Sequence, residues 1–363
     1  MNKPKLRSSV SVVKLENNIV EFFLTNTRQQ VRIKVNNDKI VDLILQLDGT
    51  LTIDELMAKY NMDNETKEYF IKFLKYLESK SIIKDNINAV EDYEKFRRVL
   101  NFLEDFSSCE NDLINMWSNI RNSNIVVIGL GAVGTWVSCL MVQSGVRNFT
   151  LIDNDKVEIS NLHRQFGYGE SQIGMLKTYA LETRLKEYSG DVNVKKINRF
   201  LDEKILEEVI TEPIDLIINC ADKPNVDITS MWVGEYCMKH NIPHIIGGGY
   251  NLHISLMGQT ILPFRSACVK CFEKGLEELN NIDTTNLKKF TVKNRKIGSF
   301  GPMCSIIASM TAMEAIKVLS KKIEPSNLNR RGEFSIYNMN INYHTINKYD
   351  DCPWCGKNGI YKK

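Results

Sequence analysis

Residues 124–155 read NIVVIGLGAVGTWVSCLMVQSGVRNFTLIDND, and this stretch decides the fold. An apolar run from Ile125 ends in G-x-G-x-x-G at Gly129, Gly131 and Gly134. A helix-length apolar segment follows, and a second β-rich run ends at Asp153, nineteen residues past Gly134. Glycines at this spacing permit a tight turn and close approach of a phosphate, the helix they open offers unpaired N–H groups, and an acid ending the next strand can take ribose hydroxyls. A nucleotide site on a strand–turn–helix unit is predicted, with NAD, FAD and ATP all open at this point. Residues 122–146 carry no charge and are long enough to span a bilayer, but the glycines at 129, 131 and 134 and the polar Asn124, Ser138 and Gln143 fit a buried strand and helix better. No membrane association is expected.

Working outward, NFTLID, VNVKKI, IDLIIN and IPHIIG alternate with helix-length segments, the pattern of a mainly parallel α/β sheet. Past Gly248 come hairpin-like strands in HISLMGQTILP, a polar stretch over 277–297 that reads as a lid, a long helix, strand-like EFSIYNM and a last cysteine pair. Upstream, VSVVKLE, IVEFFLT and QVRIKV read as three strands. Helices follow over 39–47, after a capping box at Thr52-Ile53-Asp54-Glu55, and over 65–80. The expected organisation is therefore a winged-helix-like α+β domain over 1–90, a connector over 91–120 and a Rossmann-like domain over 121–363.

Winged helices often bind DNA, yet the basic residues of the first ninety are matched by acids such as Asp42, Asp54, Glu55 and Glu65. Over the whole chain 47 Lys and Arg stand against 44 Asp and Glu, a net charge of +3, which excludes a nucleic-acid partner and favours peptide docking on this domain. A hydrophobic fraction of 43% excludes wholesale disorder.

Nine cysteines is an odd number, and no secretory apolar region follows MNKPKLRSSV, so a reducing, cytoplasmic setting is expected rather than a disulfide framework. Cys268-Val-Lys-Cys271 and Cys352-Pro-Trp-Cys355 form two C-x-x-C knuckles. Four thiolates make a closed tetrahedral zinc site with no position open for catalysis, so this zinc reads as structural.

The nucleotide question is decided by Asp153-Asn154-Asp155, then Asn161-Leu162-His163-Arg164-Gln165, then Lys177, then Asp222 after an apolar strand. Hydride transfer has no use for such a cluster. Cleaving ATP between its α- and β-phosphates needs cations on the developing charge and a carboxylate for magnesium.

At these residues the chain resembles the ThiF and ubiquitin-activating type of ATP-dependent adenylyltransferase. The likeness runs from about Phe96 to the C-terminus and rests on GLGAVG, LIDNDKVEISNLHRQ, QIGMLK, NCADK, GSFGPMCSIIASMTAMEAIK and the paired C-x-x-C. It implies that Gly129, Gly131, Gly134, Asp153 and Asp155 frame the nucleotide, with Asp153 on the ribose. Asn161, Arg164 and Lys177 would hold the triphosphate, Gln165 the local framework and Asp222 the magnesium. Arg164, Lys177 and Asp222 would be the catalytic group. The family also uses an arginine, often from a dimer mate, and here only Arg97 or Arg98 lies in that region; the family's R-Y-x-R spelling is absent.

Relatives that form thioesters carry a cysteine near the crossover segment. None occurs from 272 to 303, and Cys304 reads as a small buried residue. The chain is most similar to the microcin C-type peptide nucleotidyltransferases. That resemblance implies a homodimer that uses ATP, or another triphosphate such as CTP, with magnesium to nucleotidylate the C-terminus of a short ribosomal peptide, bound as an added strand beside QVRIKV and the 65–80 helix. A sulfur-carrier or ubiquitin-like substrate and a non-catalytic leader-binding scaffold are the alternatives.

Overall fold

The computed structural model describes residues 1–36, 39–86, 90–107, 109–251, 254–280 and 298–361. The expected lid over 277–297 therefore lies largely outside the described residues. The chain divides into two compact units, Met1–Trp117 and Ser118–Lys363.

In the first unit β1 (Pro4–Leu6) is followed by the antiparallel meander β2 (Val10–Leu15), β3 (Ile19–Leu24) and β4 (Gln29–Lys34). Alternation along β3 sends Val20, Phe22 and Leu24 to one face. That face is closed by α1 (Lys39–Leu45), α2 (Ile53–Lys59) and α3 (Asn64–Ser79), through Ile44, Leu56, Phe70, Leu74 and Leu77. The Thr52/Glu55 capping box starts α2 as predicted, and the Asp63 side chain, accepting the Thr66 N–H, starts α3. A short β5 (Ile83–Asp85) returns to pair with β1. The connector is helical: α4 (Tyr93–Glu104) and α5 (Glu110–Asn122), within which the division between units falls.

The second unit is built on a six-stranded sheet from β6 (Asn124–Ile128), β7 (Asn148–Ile152), β8 (Asn193–Ile197), β9 (Leu216–Asn219), β10 (His244–Ile246) and β13 (Thr260–Ile261), in the order β13-β10-β9-β6-β7-β8. All pairs are parallel except β10 with β13. The central strands are apolar on both faces, as a sheet covered by helices requires. The helices are α6 (Ala132–Gln143), α7 (Lys177–Tyr188), α8 (Ile205–Val209), α9 (Val226–His240), α10 (Val269–Asn280) and α11 (Gly301–Ser320). From β6 the chain steps outward to β7 and β8, then returns to β9 on the other side of β6. This switch point opens a crevice at the carboxyl ends of the strands.

The uncharged span over 122–146 is divided between β6 and α6. The 20-residue α11 is long and apolar enough to cross a bilayer, but it packs on α6 and is largely buried, as a core helix is.

A second, antiparallel sheet runs β11 (Gly249–Asn251), β12 (Ile254–Leu256), β14 (Arg330–Ser335) and β15 (Asn340–Thr345). This corrects the reading of HISLMGQTILP as one hairpin. Its first half, β12, pairs with β11 and β14, whereas its second half, β13, joins β10 in the main sheet. The crossing is at Gly258, where a Cβ would stand 2.0 Å from the Ile246 carbonyl oxygen.

Candidate functional site

The glycine turn after β6 is shaped by what surrounds it. Gly129 has φ +83°, and a Cβ there would lie 2.6 Å from the Cys220 carbonyl carbon and the Ala221 nitrogen at the end of β9. At Gly134 a Cβ would lie 2.0 Å from the Gly129 oxygen, so this glycine sets how closely α6 approaches the turn. At Gly131 it would meet nothing within 4 Å, which leaves the helix N-terminus open. Asp153, at the end of β7, accepts the Leu130 N–H at 2.6 Å and the Asp155 N–H at 2.7 Å, while the Tyr168 hydroxyl donates to the Leu130 oxygen at 2.9 Å. Both backbone polar groups of Leu130 are thus held. Burial pushes the Cys220 thiol up to about 12, making it an inert part of the crevice wall.

Beside this turn, Asp155 gathers two lysines. Lys177, the first residue of α7, approaches Asp155 Oδ2 at 3.1 Å, and its N–H donates to the Asp155 carbonyl at 3.0 Å. Lys223 reaches both carboxylate oxygens, at 3.0 and 3.2 Å. Burial pushes the Asp155 carboxyl upward, but the Lys223 hydrogen bond and the charge and hydrogen bond of Lys177 outweigh it and leave the acid below its ordinary range. Asp155 in turn raises Lys223 by that hydrogen bond, aided by the charges of Asp155, Asp222 and Asp153. Asp222 itself is exposed.

Asn161, Arg164 and Gln165 sit in one tight turn. The Asn161 side chain accepts the Glu158 N–H at 3.1 Å, Arg164 Nη1 donates to the Ser160 carbonyl at 2.8 Å, and the Gln165 N–H donates to the Asn161 carbonyl at 2.9 Å. Gln165 is buried, in keeping with a framework residue. A Cβ on Gly301 would lie 2.9 Å from the His163 oxygen, so the start of α11 lies against this turn.

The structure therefore brings the three glycines together with Asp153, and Asp155 with Lys177, while the bonds of Asn161 and Arg164 stay within their own turn. Arg97 and Arg98 are exposed on α4 of the first unit, and Cys304 is buried in α11. Lys223 was passed over in the sequence although it stands next to Asp222 in NCADK. Tyr168 carries no motif signal, because its role is one hydrogen bond to a distant backbone carbonyl.

Cys268, Cys271, Cys352 and Cys355 are all buried, with Sγ atoms within 4.8 Å of one another. The distances are 3.9 Å for Cys268–Cys271 and 3.5 Å for both Cys268–Cys352 and Cys271–Cys355. A tetrahedron with zinc–sulfur bonds of about 2.3 Å has edges of about 3.8 Å, so the donor set fits structural zinc. Hydrogen bonds from the Cys268 and Cys355 thiols hold Cys271 below the ordinary thiol range and raise those two in turn, and a bound metal would take all four as thiolates.

In the first unit β4 is an edge strand, and α3 exposes Tyr69, Ile71 and Tyr76.

Comparison with known proteins gives three findings. The model of the ThiF family matches residues 109–354. Among curated proteins, the molybdopterin-synthase adenylyltransferase of Escherichia coli K12 is 27% identical over 212 residues, covering 57% of this chain and 77% of that protein. The ubiquitin-like modifier-activating enzyme 5 of Dictyostelium discoideum is 30% identical over 227 residues, 60% of this chain and 58% of that protein. Among solved structures, E. coli MccB with ATP superposes with a TM-score of 0.73 at 21% identity, covering 98% of this chain and all of that one. The structure of the microcin C7 biosynthetic enzyme MccB in complex with N-formylated MccA covers 98% of this chain at 20% identity, with a TM-score of 0.71. At this identity the likeness to MccB establishes the fold, across both units.

Proposed function

The chain belongs to the ThiF family of adenylyltransferases, and from that premise we propose that it nucleotidylates the C-terminal carboxylate of a short ribosomally made peptide, in the biosynthesis of a microcin C-like peptide–nucleotide antibiotic. ATP, or another triphosphate such as CTP, is the co-substrate. The observation that carries the nucleotide half of this reading is the Asp155–Lys177–Lys223 group at the strand ends, beside a glycine turn that is open at Gly131. Support for the peptide half comes from the N-terminal α+β unit with its edge strand β4, and from an alignment with MccB that includes that unit.

The chemistry follows from the residue types. A carboxylate is ionised at neutral pH, so no general base is needed. One of its oxygens attacks the α-phosphorus, the bond from that phosphorus to the bridging oxygen breaks, and pyrophosphate leaves with the electron pair. Lys177 and Arg164 offset the charge that develops on the phosphates, and Asn161 donates from its amide. Asp153 already accepts two backbone N–H groups, yet a carboxylate offers about four lone-pair sites, which leaves room for the ribose hydroxyls. Magnesium arriving with the nucleotide would be held by Asp222 and would supply positive charge to the phosphates. An exposed carboxylate suits an ion that takes one or two protein oxygens and keeps its waters. A zinc-pinned homodimer working in the cytoplasm completes the reading.

A second reading, adenylation of a sulfur-carrier or ubiquitin-like protein, is favoured by the higher identity to enzymes named for such reactions. One assay separates the two. Purified protein is incubated with ATP or CTP, magnesium and either the precursor peptide encoded beside the gene or a carrier protein ending in Gly-Gly, and pyrophosphate and product mass are followed. Peptide-dependent pyrophosphate release with a nucleotidyl mass gain, lost in Asp222→Ala, is expected. Release with the carrier alone transfers the conclusion to the second reading. Tight peptide binding without pyrophosphate from any nucleotide leaves a leader-binding scaffold.

A further inference from the structure

The two lysines on Asp155 are not equivalent. The Lys177 side chain is 7% exposed and meets one carboxylate oxygen, whereas the Lys223 side chain is 62% exposed and meets both. Lys177 is fixed at the start of α7, its own backbone tied to Asp155. Lys223 follows the exposed Asp222 directly, and its ammonium lies 5.0 Å from the centroid of the half-exposed Phe200 ring. An ammonium 3 Å from both oxygens takes the lone pairs that a divalent cation would use. An ion pair this open to solvent is weak, and a triphosphate, with several negative charges close together, competes well for the cation.

We infer that Lys223 is an exchangeable counter-ion of Asp155: it moves to the phosphates when a nucleoside triphosphate binds, becoming a phosphate-contacting residue and freeing Asp155 Oδ1 for a divalent cation, while Oδ2 stays with Lys177. Lys177 stays in place. The exchange makes and breaks ion pairs only, with no covalent step. This inference rests on the nucleotide-binding half of the proposed function and adds to it a residue and an order of events.

The test uses full-length protein, wild type, Lys223→Met and Lys223→Arg. Methionine keeps an unbranched stem near Phe200 without charge. Two quantities are measured: Mn2+ binding to nucleotide-free protein by electron paramagnetic resonance, and ATP binding by calorimetry in EDTA. In Lys223→Met, Mn2+ is expected to bind about fivefold or more tighter, because Asp155 Oδ1 loses its ammonium partner, and ATP about tenfold weaker, because a phosphate partner is lost. Lys223→Arg is expected to keep ATP affinity within about threefold of wild type. Unchanged Mn2+ and ATP binding in Lys223→Met makes the contact an ordinary surface ion pair and overturns the inference. Tighter Mn2+ with unchanged ATP leaves Lys223 a static partner of Asp155 and overturns it equally. Wild type that binds no ATP or CTP, with or without magnesium, overturns the nucleotide reading itself and this inference with it, whereas failure of Lys223→Met alone leaves that reading standing.

Discussion

At Gly131 a side chain would enter open space, and at Gly134 it would strike the Gly129 carbonyl. The two positions of one motif therefore do different work, and alanine separates them. Gly134→Ala forces α6 away from the turn and is expected to destabilise the protein by about 1–3 kcal/mol, lowering Tm by several degrees. Gly131→Ala is expected to leave Tm within about 1–2 °C of wild type and to weaken ATP binding about tenfold, since its methyl group stands where a phosphate would lie. Full ATP affinity in Gly131→Ala would place the phosphates elsewhere. Lys177→Ala removes the buried cation of the Asp155 group, and pyrophosphate release is expected to fall about 10²-fold or more in kcat/KM, with the fold retained by circular dichroism. Residues of this kind were legible in the sequence where a spacing rule governs them, as for the three glycines and Asp153. Lys223 escaped because what distinguishes it is its reach to a carboxylate 68 positions away in the chain.

Among elements, β10 carries an unusual residue for a central strand. His244 is fully buried, Nδ1 lies 3.2 Å from the Ile242 carbonyl, and Nε2 has no hydrogen-bond partner among the described residues. Burial lowers this imidazole to about 4, from an ordinary value of 6.5. The unfolded chain then binds a proton below pH 6.5 that the folded protein refuses until about pH 4. Stability from this group is present above pH 6.5 and is lost as pH falls through that window, by about 3 kcal/mol at most. Urea midpoints taken from pH 7 to pH 4.5 are expected to fall in wild type and to fall less in His244→Phe. Equal slopes would assign the acid sensitivity to other groups. His244 lies in a strand that the sequence announced, since IPHIIG is a continuous apolar run. The three-residue β1 and β5 are too short for any period to appear, and in HISLMGQTILP the pattern identified two strands without revealing that they serve different sheets.

For the molecule as a whole, the two C-x-x-C knuckles bring distant parts of the second unit together. Cys271 and Cys352 stand 81 positions apart, yet all four sulfurs share one buried cluster with Phe272, Ile346 and Trp354. This long-range closure was readable because thiolate spacing announces its own chemistry. The division between the units falls near Trp117 inside α5, a single helix with no proline- or glycine-rich linker to mark it. If the metal only fastens the C-terminal tail, its loss should cost stability without touching nucleotide recognition. Elemental analysis is expected to find about one zinc per chain, and Cys352→Ser with Cys355→Ser to abolish it and lower Tm by 10 °C or more, on the order of 2–5 kcal/mol. Below the new Tm, ATP affinity is expected to stay within about threefold of wild type, because neither knuckle supplies a group to the Asp155 cluster. A larger loss of ATP binding in a variant that is still folded would show that the tail shapes the nucleotide crevice, and the metal would then belong to the active site's architecture and not only to the fold.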